Sequence, residues 1–324
     1  MTGPVESRRL GPETAPQLLA SGGGGASSLK GMARFGEVVV AMVTPFDGDG
    51  ALDEKEAAAL AEWLVAEGVD GLVLAGTTGE SPTLRDDETL DLFLAVRAAV
   101  DVPLLAGTSS NDTAHSVELT EAATATGVDG ILAVTPYYSR PSQAGIEAHF
   151  RAIAASTDLP VLLYDIPIRT GRKIDTEVMV RLADEVDNIA GVKDATGNPA
   201  EAARLIAATP DDFELYSGED SLNLPLLAVG SVGVVSVAAH WSAAEHRRML
   251  DAFNAGDVAG ARAVNDRLRP SYDFETGPDT PNPMPTKAML RTLDLRVGQC
   301  RLPVGPAPAE LEDRARQVHA DLRG

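Results

Sequence analysis

The chain has 324 residues and a formal net charge of −21, with 27 Lys and Arg against 48 Asp and Glu. This acidic balance disfavours a nucleic-acid binder, which needs basic side chains to neutralise phosphates. The single cysteine excludes a scaffold of intrachain disulfides. The composition, with 44% hydrophobic and 23% charged residues, is that of a globular protein, and the length fits either two domains or one α/β barrel.

Residues 1–34 predict a disordered N-terminal tail, because they are rich in Gly, Ser and Pro and lack apolar periodicity. Arg8-Arg9 is not followed by the apolar segment of a twin-arginine signal. The longest apolar stretch, 224–239, is broken by Pro225 and Gly230 and is shorter than the roughly 20 residues of a spanning helix. We therefore expect a soluble, cytoplasmic protein that does not enter a membrane.

From residue 38 onward, eight short runs of Val, Leu, Ile and Ala alternate with longer helical segments. The runs are continuous rather than alternating, which is typical of strands buried on both faces. Gly68, Gly127 and Gly256 mark helix ends. The eight units predict an α/β fold, a (β/α)8 TIM barrel over residues 35–240. The predicted strands are 38–43, 71–75, 102–106, 130–134, 160–164, 189–192, 213–216 and 233–237.

Residues 241–324 predict the last barrel helix and a C-terminal helical extension, with helices at 243–253, 258–268 and 286–293. The alternative to a barrel is a doubly wound open sheet. Its first turn would carry a glycine-rich dinucleotide loop, whereas the first strand here ends in Thr44-Pro45-Phe46.

One lysine stands out among the residues at the strand ends, where barrel active sites form. Of the five lysines, Lys193 is the only one inside an apolar strand pattern, whereas Lys287 falls near the start of a late helix. Burial disfavours an ammonium group and lowers its pKa toward the nucleophilic range. A salt bridge between Lys193 and Asp194 is disfavoured because neighbouring strand residues point to opposite faces. We therefore predict a functional amine at Lys193.

Other polar groups follow the strands. The glycine-rich segment 76–81 indicates either a small carboxylate site or a simple capped turn. Tyrosines after strands 4 and 5 either fill the barrel mouth or relay protons, and Arg169 offers a fork suited to a carboxylate. Glu219 and Asp220 disfavour a phosphate site after strand 7. The five histidines lack metal-ligand spacing, so we predict neither a metal nor a cofactor.

Together these segments resemble the dihydrodipicolinate synthase family, within the N-acetylneuraminate lyase superfamily. The resemblance covers about residue 35 to about residue 306. Its motifs are 76–81, 135–138, 164–171, 191–197 and 217–220, which occur in this order at barrel spacing. It implies a lyase that condenses pyruvate with L-aspartate 4-semialdehyde to 4-hydroxy-tetrahydrodipicolinate in lysine and diaminopimelate biosynthesis.

The resemblance also implies a catalytic set. Lys193 corresponds to the lysine that forms a Schiff base with pyruvate. Tyr164, Tyr138 and Thr78 correspond to a chain of hydroxyls that moves protons. Tyr138 matches the tyrosine that reaches across a tight dimer into the neighbour's site, and the family usually forms a dimer of dimers, so a homotetramer is expected.

The implied substrate contacts come from the same loops. Thr77 and Thr78 correspond to residues that hold the pyruvate carboxylate. Arg169 corresponds to the arginine that binds the carboxylate of L-aspartate 4-semialdehyde. Gly218 and the backbone carbonyl of Val235 resemble further parts of the pocket lining.

Several positions depart from the family pattern. Asp165 stands where asparagine is most common. Asp86, Thr89 and His115 replace two histidines and a glutamate typical of enzymes inhibited by lysine, although Asn111 and Tyr137 match, so we do not expect strong inhibition by lysine.

Two other functions remain open. The first is another pyruvate-dependent aldolase of the superfamily, acting on a keto-deoxy sugar acid or N-acetylneuraminate, which usually lacks an arginine at the position of Arg169. The second is an inactive, ligand-sensing barrel, which the presence of Lys193, Tyr164 and Thr78 disfavours.

Overall fold

Eight parallel strands follow one another around a closed ring in the order in which they occur in the chain. The computed structural model describes residues 33–323, together with Met1 and Gly3. The predicted tail over residues 1–34, with Arg8-Arg9, therefore lies almost wholly outside the described residues. The strands are β1 (Val38–Ala41), β2 (Gly71–Leu74), β3 (Leu104–Gly107), β4 (Gly130–Val134), β5 (Val161–Asp165), β6 (Ile189–Asp194), β7 (Glu214–Ser217) and β8 (Gly233–Ser236).

Strand β8 pairs with β1 and closes the ring, which confirms the predicted (β/α)8 barrel. Most strands begin and end within two residues of the prediction. Strand β6 was predicted to end before Lys193 but continues through Lys193 to Asp194. The reason is backbone pairing on both sides, because Lys193 lies opposite Tyr164 in β5 and opposite Tyr216 in β7. The amine thus projects from inside the sheet rather than from a loop after it.

Twelve α-helices are present in the described part of the chain. Asp53, Asp112 and Ser142 begin three of them with side-chain oxygens that accept backbone N–H bonds. The helices are α1 (Glu54–Ala66), α2 (Asp86–Ala99), α3 (Thr113–Thr124), α4 (Gln143–Ala154), α5 (Pro167–Thr170), α6 (Thr176–Glu185), α7 (Pro199–Ala208), α8 (Asn223–Val229), α9 (Ala239–Asn254), α10 (Val258–Phe274), α11 (Met284–Thr292) and α12 (Glu310–Arg323).

The C-terminal extension contains more helix than the sequence predicted. Helix α10 continues past Pro270 to Phe274, and α12 is an additional helix. Most of α12 is polar, and its apolar residues form one narrow stripe of buried side chains, Leu311, Ala315, Val318 and Leu322. No helix among residues 33–323 is long and apolar enough to cross a membrane.

Alternate residues of each strand face two different apolar layers. One layer lies between the strands and the surrounding helices, and the other fills the inside of the ring. Tyr164, Ala195, Tyr216 and Val235 belong to the inner layer, whereas Val192 belongs to the outer one. Lys193, adjacent to Val192 and two residues before Ala195, therefore shares the inner face with Tyr164.

Candidate active site

A cavity of about 370 Å³ opens at the carboxyl ends of β2 to β5. Residues of the loops after these strands line it, as the position of barrel active sites predicts. Its polar lining residues are Thr77, Ser81, Ser109, Tyr137, Tyr138, Tyr164, Arg169 and Thr170.

Lys193 has a buried side chain, with only 5% of its surface exposed. Its Nζ lies 4.3 Å from the centre of the Tyr164 ring. Burial lowers the pKa of Lys193 to about 8, while the negative charge of Asp220 opposes this shift and the positive charge of Arg169 adds to it. At pH 7 about a tenth of such amines are neutral and able to act as nucleophiles, far more than for an ordinary lysine.

Gly218 leaves room for the lysine stem. A Cβ at this position would lie 2.8 Å from Cγ and 3.0 Å from Cε of Lys193, closer than carbon atoms approach in proteins. The backbone N–H of Gly218 donates to the carbonyl of Asp194 at 2.7 Å. The structure therefore places Gly218 against Lys193, where any larger residue would displace the amine.

Tyr164 is also buried, and its ring forms one side of the site. Burial raises the pKa of Tyr164 to about 12, while the positive charge of Arg169 and the neighbouring Thr77 side chain oppose the shift. The hydroxyl therefore keeps its proton at neutral pH and can pass protons only through a chain of hydrogen-bonded partners.

The side chains of the two threonines in the loop after β2 have different surroundings. Thr77 lines the cavity beside Tyr164. The Thr78 hydroxyl instead accepts a hydrogen bond of 3.0 Å from the Asn282 side chain. The structure thus places the Thr77 side chain at the cavity, and the Thr78 hydroxyl against Asn282. The cause is the tight turn of the loop, which points successive side chains in different directions, a detail that the motif spacing does not contain.

Arg169 and Tyr138 lie at the rim of the cavity. Arg169, at the end of the short helix α5, is exposed, and no ion pair within residues 33–323 involves it. Tyr138 has 90% of its surface exposed and a φ of +70°, a conformation that non-glycine residues seldom adopt. Val235, in contrast, is buried in the inner layer of the barrel.

A buried acidic cluster beside the lysine was missed in the sequence. Asp220 turns inward and accepts N–H bonds from Val237 and Ala238 at 2.9 and 2.8 Å, so it does not face the cavity as the argument against phosphate assumed. Burial and the Asp220 charge raise the pKa of Glu275 well above its usual range. The periodicity of α10 did not indicate a role for Glu275, because only tertiary packing brings the end of this helix beside Asp220.

Lys287 was also missed as a buried lysine. Its side chain has no exposed surface, and its Nζ lies 2.7 Å from Glu80 Oε1. The available signal was the apolar character of the surrounding residues, because all of Met284–Leu290 is buried. Burial alone therefore does not distinguish Lys193 from Lys287. The two lysines differ because Lys287 pairs with the carboxylate of Glu80.

The residues that the sequence resemblance matched to a lysine effector site, Asp86, Thr89 and His115, lie on α2 and α3. His115 Nε2 lies 2.9 Å from Asp86 Oδ1, which connects α3 to α2. Thr89 donates its hydroxyl hydrogen to the Arg85 carbonyl. Asp86 and His115 thus pair with each other across the two helices.

The fold and the site define a (β/α)8 barrel with a buried amine at the carboxyl ends of its strands, the type of group with which enzymes form Schiff bases with carbonyl substrates. The family model described as "Dihydrodipicolinate synthetase family" matches residues 34–322. The chain therefore belongs to the dihydrodipicolinate synthetase family, as its sequence motifs predicted.

Similar proteins align with this chain over nearly their whole length. The 4-hydroxy-tetrahydrodipicolinate synthase of Moorella thermoacetica is 48% identical over 87% of this chain and 96% of that protein. The same enzyme of Bacillus subtilis is 44% identical over 84% and 94%.

Solved structures of the same family are also similar to this chain. The structure of dihydrodipicolinate synthase from Cyanidioschyzon merolae with lysine bound has a TM-score of 0.86 and 42% identity, covering 89% of this chain and 98% of that chain. The chloride-inhibited enzyme from Acinetobacter baumannii, complexed with pyruvate, has a TM-score of 0.83 and 34% identity over the same shares.

The departure at Asp165 leads to a prediction about stability. Its carboxyl group is fully buried, and its Oδ1 accepts an N–H bond from Ile174. Burial raises the pKa of Asp165 to about 7. The folded chain therefore holds this proton more tightly than the unfolded chain, so stability falls as the pH rises from about 4 to about 7 and stays lower above pH 7.

We expect Asp165→Asn to stabilise the fold by about 2–4 kcal/mol at pH 8, and the gain to disappear below about pH 4. Asparagine supplies an uncharged donor and acceptor of the same size. Urea unfolding across this pH range measures the effect, with the exposed Asp184→Asn as control. A gain that is equal at pH 4 and pH 8 would contradict the explanation.

Proposed function

We propose that this chain condenses pyruvate with L-aspartate 4-semialdehyde to give 4-hydroxy-tetrahydrodipicolinate and water. The observation that carries the proposal is the buried Lys193 amine, whose pKa is lowered to about 8 by burial beside Tyr164. The names of the relatives, which are 4-hydroxy-tetrahydrodipicolinate synthases, support the same reaction.

The first half of the reaction activates pyruvate. Neutral Lys193 attacks the ketone carbon, and the resulting carbinolamine loses water to form an iminium ion. The iminium withdraws electrons, so a methyl proton leaves and an enamine forms. Thr77 and Tyr164 pass the protons that these steps release and consume.

The second half builds the ring. The enamine carbon adds to the aldehyde carbon of the second substrate, and the aldehyde oxygen takes up a proton. The substrate's own amine then attacks the iminium carbon and displaces Lys193, which restores the free enzyme. One water molecule is released over the whole reaction, in the formation of the first iminium ion.

Local groups account for substrate binding in a protein with a net charge of −21. The backbone N–H groups of Thr77 and Thr78 are suited to the pyruvate carboxylate, because amides in a glycine-rich turn bind small anions. Arg169, exposed at the rim, is suited to the carboxylate of the second substrate. Its charge also favours this acceptor over the polyhydroxylated aldehydes of sugar-acid aldolases. We also assign Gly218, which lies against Lys193, and Val235, in the inner layer of the barrel, to the lining of this site.

Tyr138 supports the proposal of an oligomer. Its exposed ring and left-handed backbone suit insertion into the site of a second copy, where the partner subunit's Tyr138 would complete the hydroxyl chain. We propose a tight dimer for this reason and, from the resemblance, a dimer of dimers. The cytoplasmic location and the absence of strong inhibition by lysine remain predictions.

The reaction is tested with purified protein in two measurements. Borohydride reduction in the presence of pyruvate should add a three-carbon fragment to Lys193, and Lys193→Ala should abolish the modification. A coupled assay should then show turnover with L-aspartate 4-semialdehyde and none with sugar aldehydes. Trapping at Lys193 combined with turnover of a sugar aldehyde would favour the other aldolases of the superfamily. An unmodified Lys193 peptide would rule out the Schiff base.

The relay is tested by paired threonine variants. We expect Tyr164→Phe and Thr77→Val each to lower kcat by about 10² to 10⁴, because each removes a hydroxyl from the proton path. Thr78→Val is the matched control, since its hydroxyl accepts from Asn282 and its side chain does not line the cavity. It should affect the KM for pyruvate more than kcat. A larger kcat loss in Thr78→Val than in Thr77→Val would instead identify Thr78 as the relay hydroxyl, as the sequence resemblance implied.

The partner's contribution is tested by complementation. Tyr138→Phe and Lys193→Ala homo-oligomers should both be nearly inactive. Co-expression of the two chains should recover roughly a quarter of the native activity, because random pairing makes half of the dimers hybrid and each hybrid has one complete site. Light scattering checks that both variants still assemble. Failure of the hybrids to recover activity would show that Tyr138 acts within its own chain, and full activity of the Tyr138→Phe homo-oligomer would show that it has no role.

A further inference from the structure

The second buried lysine, Lys287, is connected to the loop that holds the two threonines. Its Nζ pairs with Glu80 Oε1 at 2.7 Å, donates to the Gln299 carbonyl at 3.1 Å and lies 4.1 Å from the centre of the Phe46 ring. Both side chains of the ion pair are at most 2% exposed. An ammonium group buried this completely needs such partners, because an unpaired charge inside a protein is strongly unfavourable.

Glu80 lies immediately after Gly79 in the loop from Gly76 to Ser81. Its φ of +57° is in the left-handed region, which is strained for a residue with a side chain. Its Oε2 accepts the backbone N–H of Arg301 at 2.9 Å, so the C-terminal extension holds both carboxylate oxygens. A strained residue keeps this conformation only where its surroundings fix it.

The extension contacts the same loop at a second point. Asn282 Nδ2 donates to the Thr78 hydroxyl at 3.0 Å, and Asn282 Oδ1 accepts from the Thr286 hydroxyl at 3.3 Å. The beginning of helix α11 thus fixes the loop at Thr78 and again, one turn further along, at Glu80. Only Gly79 lies between the two contacted residues, so rotation of the adjacent backbone N–H groups is restricted.

We propose that Lys287 and Glu80 are positioning residues, which hold the backbone N–H groups of Thr77 and Thr78 in the orientation that binds the pyruvate carboxylate. The identity of the bound anion rests on the proposed function. Donors that are already aimed at an anion require no reorganisation when it binds, so loss of the support should weaken binding at a distance. Neither side chain touches the substrate.

A purely structural ion pair is the competing explanation. Removal of one partner of a buried pair leaves an uncompensated charge and destabilises the fold whatever the pair does. A useful test therefore measures pyruvate binding separately from stability. Arg291 provides the matched control, because it lies one turn after Lys287 on α11 but pairs with Glu312 on α12 at 2.9 Å.

The experiment titrates pyruvate against borohydride trapping at Lys193, read by mass spectrometry, together with thermal unfolding. We expect Lys287→Met to raise the half-saturating pyruvate concentration by about 10- to 100-fold, as loss of supporting partners does at other preorganised sites, with no change in the KM for the aldehyde substrate. Arg291→Met should lower the melting temperature and leave the pyruvate titration unchanged.

The double variant Glu80→Gln/Lys287→Met keeps the result interpretable if the single variant fails to fold. It leaves no unpaired charge, and the glutamine can still accept from Arg301, so we expect it to fold with weakened pyruvate binding. A pyruvate titration within twofold of the native one, in whichever of these variants folds, would overturn the positioning role. Absence of trapping in the unsubstituted chain would instead overturn the proposed function, and the positioning role with it.

Discussion

Burial of one amine inside a ring of parallel strands is the constraint on which this site depends. Lys193 lies within β6, with Tyr164 opposite on one side and Tyr216 opposite on the other. Paired backbone on both sides prevents the lysine from turning outward, and the inner layer of the barrel excludes water from its stem. An ammonium group in this position gives up its proton more readily, which makes it a nucleophile near neutral pH.

The acidic cluster next to the amine limits how far this effect goes. Burial alone would raise the pKa of Asp220, but His246 and the backbone N–H of Ala238 hold it well below its usual range. Burial and the charge of Asp220 raise the pKa of the neighbouring Glu275 well above its usual range. The negative charge of Asp220 opposes the effect of burial on the pKa of Lys193, which stays near 8 and leaves the amine partly protonated at neutral pH. Both protonation states are then available, as steps that form and release an imine require.

The sequence predicted the functional side chains on the strands better than those on the loops and on the C-terminal helices. The apolar runs located all eight strands, and a lysine within one of them led directly to Lys193. The motif did not show which of the two threonine side chains lines the cavity, because the tight turn after β2 decides their directions. Lys287 and Glu275 were not recognised, since their carboxylate or lysine neighbours lie far away in the chain. Helix α12 was missed because a four-residue apolar stripe in a polar segment gives a weak signal.

The sequence by itself determined the barrel, the family and the chemical character of the site. Hydrophobic periodicity records which strands are buried on both faces, and the order of the motifs records which residues follow them. Tertiary structure alone decided the direction of each side chain and the charge that surrounds it. Lys193 and Lys287 illustrate the difference: both are buried lysines beside an aromatic ring, but folding places Glu80 2.7 Å from the Lys287 amine, whereas no ion pair involves Lys193 in the described part of the chain. Coulomb interactions depend on distance in space, which sequence spacing does not record.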